Sequence, residues 1–121
     1  MKERKFKVKS EITISNASGK WSIRAGGAVL GETKKALELY EGERKQALYF
    51  PKKDLAMAFF ERTEHEITYP HKGIMGYYSI VTKSQTLENV AWEFIAPGSE
   101  FMDLLNCISF VSTSAITIER L

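Results

Sequence analysis

The sequence predicts a small, mainly β domain of antiparallel sheets with one or two short helical turns. Short segments alternate apolar and polar residues, and turn-forming glycine, proline, asparagine and serine recur between them. A length of 121 residues, 44% of them hydrophobic, suits a single globular core. We therefore expect about eight strands, arranged as a sandwich, a barrel or a tent-like pair of sheets.

The first part of the chain predicts strands joined by short turns. Residues 6–14 alternate apolar and charged side chains, which indicates a strand with one buried face. A turn at residues 16–19 follows, and the alternation resumes over residues 21–25. The glycine pair at residues 26–27 predicts a tight hairpin turn in which both central residues have positive φ.

The middle of the chain continues the strand pattern with one helical interruption. Residues 36–41 alternate and predict a strand, although the propensities of residues 32–40 also allow a helix. Residues 47–50 predict the next strand, and residues 51–55, which begin with proline, predict a short helical turn. Residues 56–60 fit an extension of that turn or a strand, and we favour the strand because alternating residues follow.

The stretch from residue 69 to residue 78 departs from the regular strand pattern. Pro70 fixes one backbone torsion, while Gly73 and Gly76 allow turns that other residues resist. Lys72 lies between Pro70 and Gly73. The composition predicts a shaped loop that runs into a strand.

A hairpin follows this loop. Residues 77–82 and 87–95 read as two strands, and the length of the turn between them limits the register to two choices. In either register Trp92 lies opposite Tyr77 or Tyr78. Aromatic rings from two strands therefore converge beside the loop that carries the lysine.

The C-terminal part predicts a short helix and two strands. Residues 97–98 break the preceding strand, Ser99 can cap a short helix, and residues 107–111 and 115–118 read as strands. Cys107 is the only cysteine and lies in an apolar run, so we expect a buried, inert thiol. A single cysteine also excludes an intrachain disulfide and a cysteine-pair zinc clamp.

Charge is concentrated at the N-terminus. Residues 1–9 carry five basic residues against one acidic residue, so the rest of a chain with net charge +2 has a charge of −2. Residues 10–121 therefore carry no positive potential that would attract nucleic acid. The lysines of the N-terminal strand would discourage edge-to-edge pairing with another strand. We expect one domain, with residues 1–18 as a basic strand extension and residues 19–121 as the core. The sequence shows neither a secretory signal nor a membrane-length apolar run, which predicts a cytoplasmic protein.

The first candidate site combines Lys72 with Tyr77, Tyr78 and Trp92. A pocket lined by rings with one or two polar groups is typical of small-molecule sites, in which a lysine anchors an anion. The alternative is an ordinary cross-strand aromatic cluster below a solvated lysine, which β proteins often contain.

A second candidate patch joins Tyr49 to the turn that holds Lys52, Lys53 and Asp54. If this turn is helical, its first amides and the two lysines form a modest anion site. The alternative is a strand that ends in a capped turn. The two patches form one pocket only if the fold brings this turn next to Lys72.

Metal-binding residue types occur at His65, Glu66 and His71. Their spacing differs from the helical two-histidine zinc pattern and offers no third ligand at a recognisable spacing. We therefore expect no metal and no cofactor. Acid–base chemistry by Asp54, Glu93 or His71 stays open, although no Ser-His-Asp or Cys-His arrangement is indicated.

Three central segments resemble the bacterial family catalogued as domain of unknown function 427. They are residues 49–55, residues 69–73 followed by Tyr77 and Tyr78, and residues 90–94 followed by Pro97. Residues 27–41 fit the opening pattern of the family, and the resemblance runs from about Gly19 to the C-terminus. At Tyr69 the chain departs from the family, which usually has a cysteine there.

The resemblance implies a β-tent architecture, related in shape to methionine-R-sulfoxide reductases and to the thalidomide-binding domain of cereblon. Those relatives commonly hold zinc with paired Cys-x-x-Cys motifs, which this chain lacks. One classification labels the family nucleotidyltransferase-like, but the chain has no Gly-Ser motif with paired aspartates to hold magnesium. The family's recurrent positions fall in both candidate patches: Tyr49, Pro51, Asp54, Pro70, Lys72, Gly73, Tyr77 and Trp92.

These observations support three functional hypotheses. The first is a small-molecule-binding pocket with six candidate residues: Tyr49, Asp54, Lys72, Tyr77, Tyr78 and Trp92. In that pocket Lys72 meets an anionic or carbonyl group and Asp54 orients it. The second is an enzyme acting on a small metabolite, with nucleotide-like compounds among the candidates, and the third is a protein-interaction module that uses the basic N-terminal strand. The identity of the ligand and the oligomeric state stay open.

Overall fold

A computed structural model of the protein describes residues 11–121. Its strands are β1 (Ile12–Asn16), β2 (Trp21–Ala25), β3 (Ala28–Thr33), β4 (Leu37–Glu41), β5 (Arg44–Pro51), β6 (Phe60–Tyr69), β7 (Gly73–Val81), β8 (Thr86–Pro97), β9 (Cys107–Phe110) and β10 (Ile116–Arg120). Short 3-10 helices span Lys52–Asp54, Met57–Phe59 and Ser99–Leu104. The predicted mainly β class with short helical turns is confirmed.

The strands form two antiparallel sheets. The larger sheet has seven strands in the order β1-β4-β5-β9-β8-β7-β6, and the smaller has three in the order β10-β2-β3. In the β7–β8 hairpin Tyr77 lies opposite Trp92, which selects one of the two predicted registers. Strand β9 returns from late in the chain to lie between β5 and β8. This arrangement is compatible with the β-tent architecture that the resemblance implies.

The main core lies between the two sheets, against the inner face of the larger sheet. Alternation along the strands turns Phe50 and Ile80 of the larger sheet toward Ile23 and Leu30 of the smaller one. All four side chains are fully buried. Removing a side chain of this size from water contributes about 1.5–3 kcal/mol, so this layer holds the two sheets together.

The outer face of the larger sheet carries a second, smaller core. Its buried residues from the strands are Leu39, Tyr49, Met75, Phe94 and Cys107. The 3-10 helix Ser99–Leu104 covers them with Phe101 and Leu104. This cover is one short helix, and the outer face opens into a cavity beside it.

Two predicted local structures are wrong. Residues 56–60 contain a 3-10 helix at Met57–Phe59 rather than a strand, because Ala56 donates its N–H to the carbonyl of Leu30 at 2.7 Å and the chain turns there. Ser99 begins its 3-10 helix but does not cap it. The N-cap is Gly98, whose carbonyl accepts the N–H of Phe101 at 2.9 Å.

The N-terminal half shows three further outcomes. At the first hairpin turn Gly26 has φ 61° while Gly27 does not have positive φ, so the turn is type II′ rather than the predicted turn with two positive values. The helix alternative over residues 32–40 is not formed, since β3 and β4 occupy it. The predicted strand at residues 6–14 is seen from Ile12, and its earlier part lies outside the described residues.

Candidate functional site

An aromatic cavity lies on the outer face beside the 3-10 helix Ser99–Leu104, and we call it the Trp92 cavity. It has a volume of about 180 Å³, and its main apolar walls are Leu39, Tyr49, Met75, Trp92, Phe94 and Phe101. The rest of its lining is Gln46, Ala47, Tyr69 and Lys72. Three of the six predicted site residues, from three separate parts of the chain, therefore share one cavity: Tyr49, Lys72 and Trp92.

Tyr49 and Trp92 form one wall together. The indole Nε1–H of Trp92 donates to the Tyr49 hydroxyl at 3.3 Å, and the two rings meet edge to face with centroids 6.4 Å apart. Strand β9 runs between the strands that carry them, and its Ser109 lies directly opposite Trp92. Because the side chain of Ser109 is small, the two larger rings approach each other above it.

Tyr49 is almost completely buried, and its hydroxyl group lies in the desolvated region. Desolvation raises its pKa from 10.0 to about 12, although the hydrogen bond from Trp92 acts in the opposite direction. Burial disfavours the charged phenolate. The Tyr49 hydroxyl in the wall of the cavity is therefore neutral at physiological pH.

A tight turn at residues 70–72 joins β6 to β7 and brings Lys72 to the cavity. Gly73 has φ 114°, which glycine adopts without strain, and Gly98 donates its N–H to the carbonyl of Lys72 at 2.7 Å. A Cβ at Gly98 would collide with the backbone of the turn. The ammonium of Lys72 lies 5.6 Å from the centre of the Tyr69 ring, within cation–π distance. The predicted shaped loop is thus a short turn pinned to the end of β8.

Tyr77 packs beside the cavity and does not line it. Its ring centroid is 6.1 Å from that of Trp92 and 4.6 Å from the imidazole of His65. Burial, with a smaller electrostatic effect of Tyr69, raises the pKa of Tyr77. Tyr77 therefore supports the indole ring from the neighbouring strand.

The two remaining predicted site residues lie elsewhere. Tyr78 points to the inner face, where it is buried edge to face against Phe60 with centroids 5.9 Å apart. Asp54 accepts a hydrogen bond from Thr33 Oγ1 at 2.7 Å, beside β3. Neither side chain lines the Trp92 cavity.

Lys52 and Glu93 form an ion pair on the inner face of the larger sheet. Nζ lies 2.9 Å from Oε1 of Glu93, a buried oxygen that makes no hydrogen bond of good geometry within residues 11–121. Desolvation acts to lower the pKa of Lys52, but the adjacent Glu93 carboxylate, with help from Tyr78, outweighs it and raises that pKa. Lys52, which we predicted from the sequence to be part of an anion site, thus pairs with a carboxylate of the protein itself.

A second opening, which we call the wedge, lies between residues 45–48 of β5 and residues 109–113. Its volume is about 640 Å³, and Trp92, Ile116 and Ile118 complete its lining. The ladder between β5 and β9 ends at the pair Phe50–Ile108. Beyond that pair the two segments diverge.

The wedge and the Trp92 cavity share Gln46, Ala47 and Trp92, so they are adjoining parts of one cleft. At the closed end of the wedge Cys107 pairs with Pro51 and is 6% exposed. Burial raises the pKa of its thiol, which keeps it protonated. The predicted buried thiol is confirmed.

Seven further residues line the Trp92 cavity without having been singled out as site residues from the sequence: Leu39, Gln46, Ala47, Tyr69, Met75, Phe94 and Phe101. Met75 and Phe94 follow the same alternation as Tyr77 and Trp92, so the strand period alone could have found them. Phe101 has no such local signal, since its place depends on how a distant helix packs on β8.

Metal-binding side chains do not cluster in the described part of the chain. No three His, Cys, Asp or Glu side chains of residues 11–121 lie where they could hold a metal ion together. Over the same range, every helix is too short or too polar to cross a membrane.

Comparison with known proteins identifies a family but no activity. No curated protein matches the chain. A family model described as domain of unknown function (DUF427) matches residues 13–120, from the second residue of β1 to the end of β10. The chain therefore belongs to the DUF427 family.

Proposed function

We propose that the Trp92 cavity binds a small molecule that combines one ring with an anionic group. The observation that carries this proposal is the convergence of Tyr49, Trp92 and Lys72 on one cavity. Mostly apolar walls with few polar groups are the usual form of a small-molecule site.

The size of the cavity supports a single ring. An engineered apolar cavity of about 150 Å³ accepts benzene, so a cavity of about 180 Å³ has room for one ring-sized group. The rings of Tyr49, Trp92 and Phe94 offer faces and edges for offset or edge-to-face contact with it.

The polar lining supports an anionic group. Within residues 11–121 no carboxylate pairs with Lys72, whose ammonium lies near the Tyr69 ring. An anionic ligand group would gain a charge-assisted hydrogen bond from it. The proposal gives no role to Asp54 or Tyr78, which lie elsewhere.

The test is a binding titration with benzoate, 3-phenylpropanoate and phenyl phosphate, together with 3-phenylpropanamide as a neutral match. We expect the anions to bind more tightly than the amide. Lys72→Met should weaken the anions about tenfold, or about 1.4 kcal/mol, and leave the amide unchanged. Lys83→Met, at an exposed site in the β7–β8 turn, is the matched control and should change neither.

Two results would overturn the proposal. One is the absence of binding by every member of this panel to the wild-type protein at millimolar concentration. The other is a preference for anions that survives Lys72→Met. Trp92→Ala should abolish binding of anions and amide alike, with circular dichroism confirming that the variant is folded.

A further inference from the structure

We infer that the cleft binds an extended peptide whose C-terminal residue is aromatic, with that ring in the Trp92 cavity and the preceding residues in the wedge. The inference rests on the proposed function, since the terminal ring and carboxylate would take the place of the small molecule. It extends that function by naming the class of ligand.

The backbone groups that face the wedge follow from the alternation of antiparallel pairs. Lys52 donates its N–H across to the chain just before β9 at 2.9 Å, so even-numbered residues of β5 turn their backbone groups toward β9. Val111 donates its N–H to β8 at 2.8 Å, so Phe110 turns its own groups the other way, toward β5. Leu48 and Phe110 therefore direct their N–H and C=O groups into the wedge, where the β5–β9 ladder no longer pairs them.

A β-bulge explains why the two segments diverge. Leu39 pairs with Ala47 and the next residue of β4 pairs with Lys45, so Gln46 is an extra residue in β5. A bulge bends its strand and increases the local twist. Among residues 11–121 no strand pairs with the wedge side of residues 45–48. This edge is about 13 Å long, which is enough to lie beside about four residues of an extended chain.

A peptide meets both edges of the wedge at once. An extended chain offers N–H and C=O groups along both of its sides, and open strand edges bind peptides in this way. On the inner side of the wedge Leu48, Phe110, Ile116 and Ile118 provide apolar surface for alternate side chains of the peptide.

The C-terminal residue follows from the adjoining cavity. Lys72 is complementary to a carboxylate, and the rings around it are complementary to an aromatic group. The last residue of a peptide carries both groups if its side chain is aromatic. The cavity then binds the C-terminal residue of the peptide, and the wedge binds the residues that precede it.

The first measurement compares 3-phenylpropanoate with acetyl-Thr-Val-Phe as the free acid. The tripeptide should bind at least tenfold more tightly, and its C-terminal amide should lose most of that gain. Hydrogen exchange should show new protection at the amides of Leu48 and Phe110 with the tripeptide but not with 3-phenylpropanoate. The amide of Ala47, which faces β4, should stay unchanged.

The second measurement blocks the wedge alone. Ser112 is exposed and lines the wedge but not the cavity, so Ser112→Tyr should remove the advantage of the tripeptide and keep the affinity for 3-phenylpropanoate. Ser112→Ala is the matched control and should bind both ligands as the wild type does. A tripeptide that binds no more tightly than 3-phenylpropanoate, or whose advantage survives Ser112→Tyr, overturns the inference and leaves the proposed function standing. Failure of both ligands overturns the two together.

Discussion

The inner and outer faces of the larger sheet differ in how completely they are covered. A three-stranded sheet closes the inner face, and Phe50 and Ile80 have no exposed surface there. The outer face is only partly covered, by the six-residue helix Ser99–Leu104, and Trp92 remains half-buried beside it. The cavity therefore lies where the cover of the outer face ends, and it needs no separate sequence motif.

Two neighbouring tyrosines show the same contrast at the scale of single residues. Tyr78 belongs to the inner core against Phe60, whereas Tyr77 lies on the outer face against Trp92. The strand period of two places identical side chains in a closed core and beside an open cavity. Substitutions on the two faces should therefore separate loss of stability from loss of binding.

The free energy of unfolding should fall most for a substitution on the inner face. Phe50→Ala should lower the free energy of unfolding by about 3–5 kcal/mol, because a fully buried ring leaves a cavity between the sheets. On the outer face Trp92→Phe should cost only about 1 kcal/mol, chiefly the hydrogen bond to Tyr49. Urea unfolding measures both values. Equal losses would show that the outer face is as closed as the inner one.

The next effect concerns the buried hydroxyl on the outer face. The folded pKa of Tyr49 is about 12 against 10.0 for the ordinary group, so its neutral form contributes stability that is complete below pH 10 and is lost as the pH rises to 12. The stability of the wild type relative to Tyr49→Phe should fall by about 2.7 kcal/mol across this range. Urea unfolding at several pH values measures this fall. Tyr40→Phe is the control, and its stability should fall over this pH range as much as that of the wild type. A constant difference between wild type and Tyr49→Phe would contradict the burial of this hydroxyl.

The smallest of the three effects tests the polar part of the inner face. Lys52→Met should lower stability by about 1–2 kcal/mol, because it leaves the buried oxygen of Glu93 without a cation, while Lys53→Met at the adjacent exposed site should change little. The folded pKa of Lys52 is raised, so its contribution is full below about pH 10.5 and is lost as the pH rises through the folded value. Unfolding measured at pH 7 and pH 11 should show the cost shrinking. A cost that is the same at both pH values would rule out the ion pair as its source.

The local part of the fold could be predicted from the sequence because strand period and turn length are local properties. Alternation separates Tyr77 from Tyr78, and the length of the β7–β8 turn restricts the partner of Trp92 to one of them. The prediction of a strand at residues 56–60 was wrong for a non-local reason. Its backbone is tied to Leu30 of the other sheet.

The candidate site could be predicted only in part because it depends on strand order. Tyr49 reaches Trp92 because β9, from near the end of the chain, enters between β5 and β8 with the small Ser109 at the crossing. No local pattern specifies that insertion. Asp54 shows the opposite case, since it is close to Tyr49 in sequence yet bonds to Thr33 in the fold.

Because Cys107 is buried, the reactivity of its thiol reports how often the surrounding structure opens locally. Cys107 is 6% exposed and packs in the outer core, so its thiol reacts readily with an alkylating reagent only when the structure around it opens locally. The reaction rate therefore measures how often this part of the outer core opens while the rest of the fold stays intact. A single cysteine means that the signal needs no engineered label.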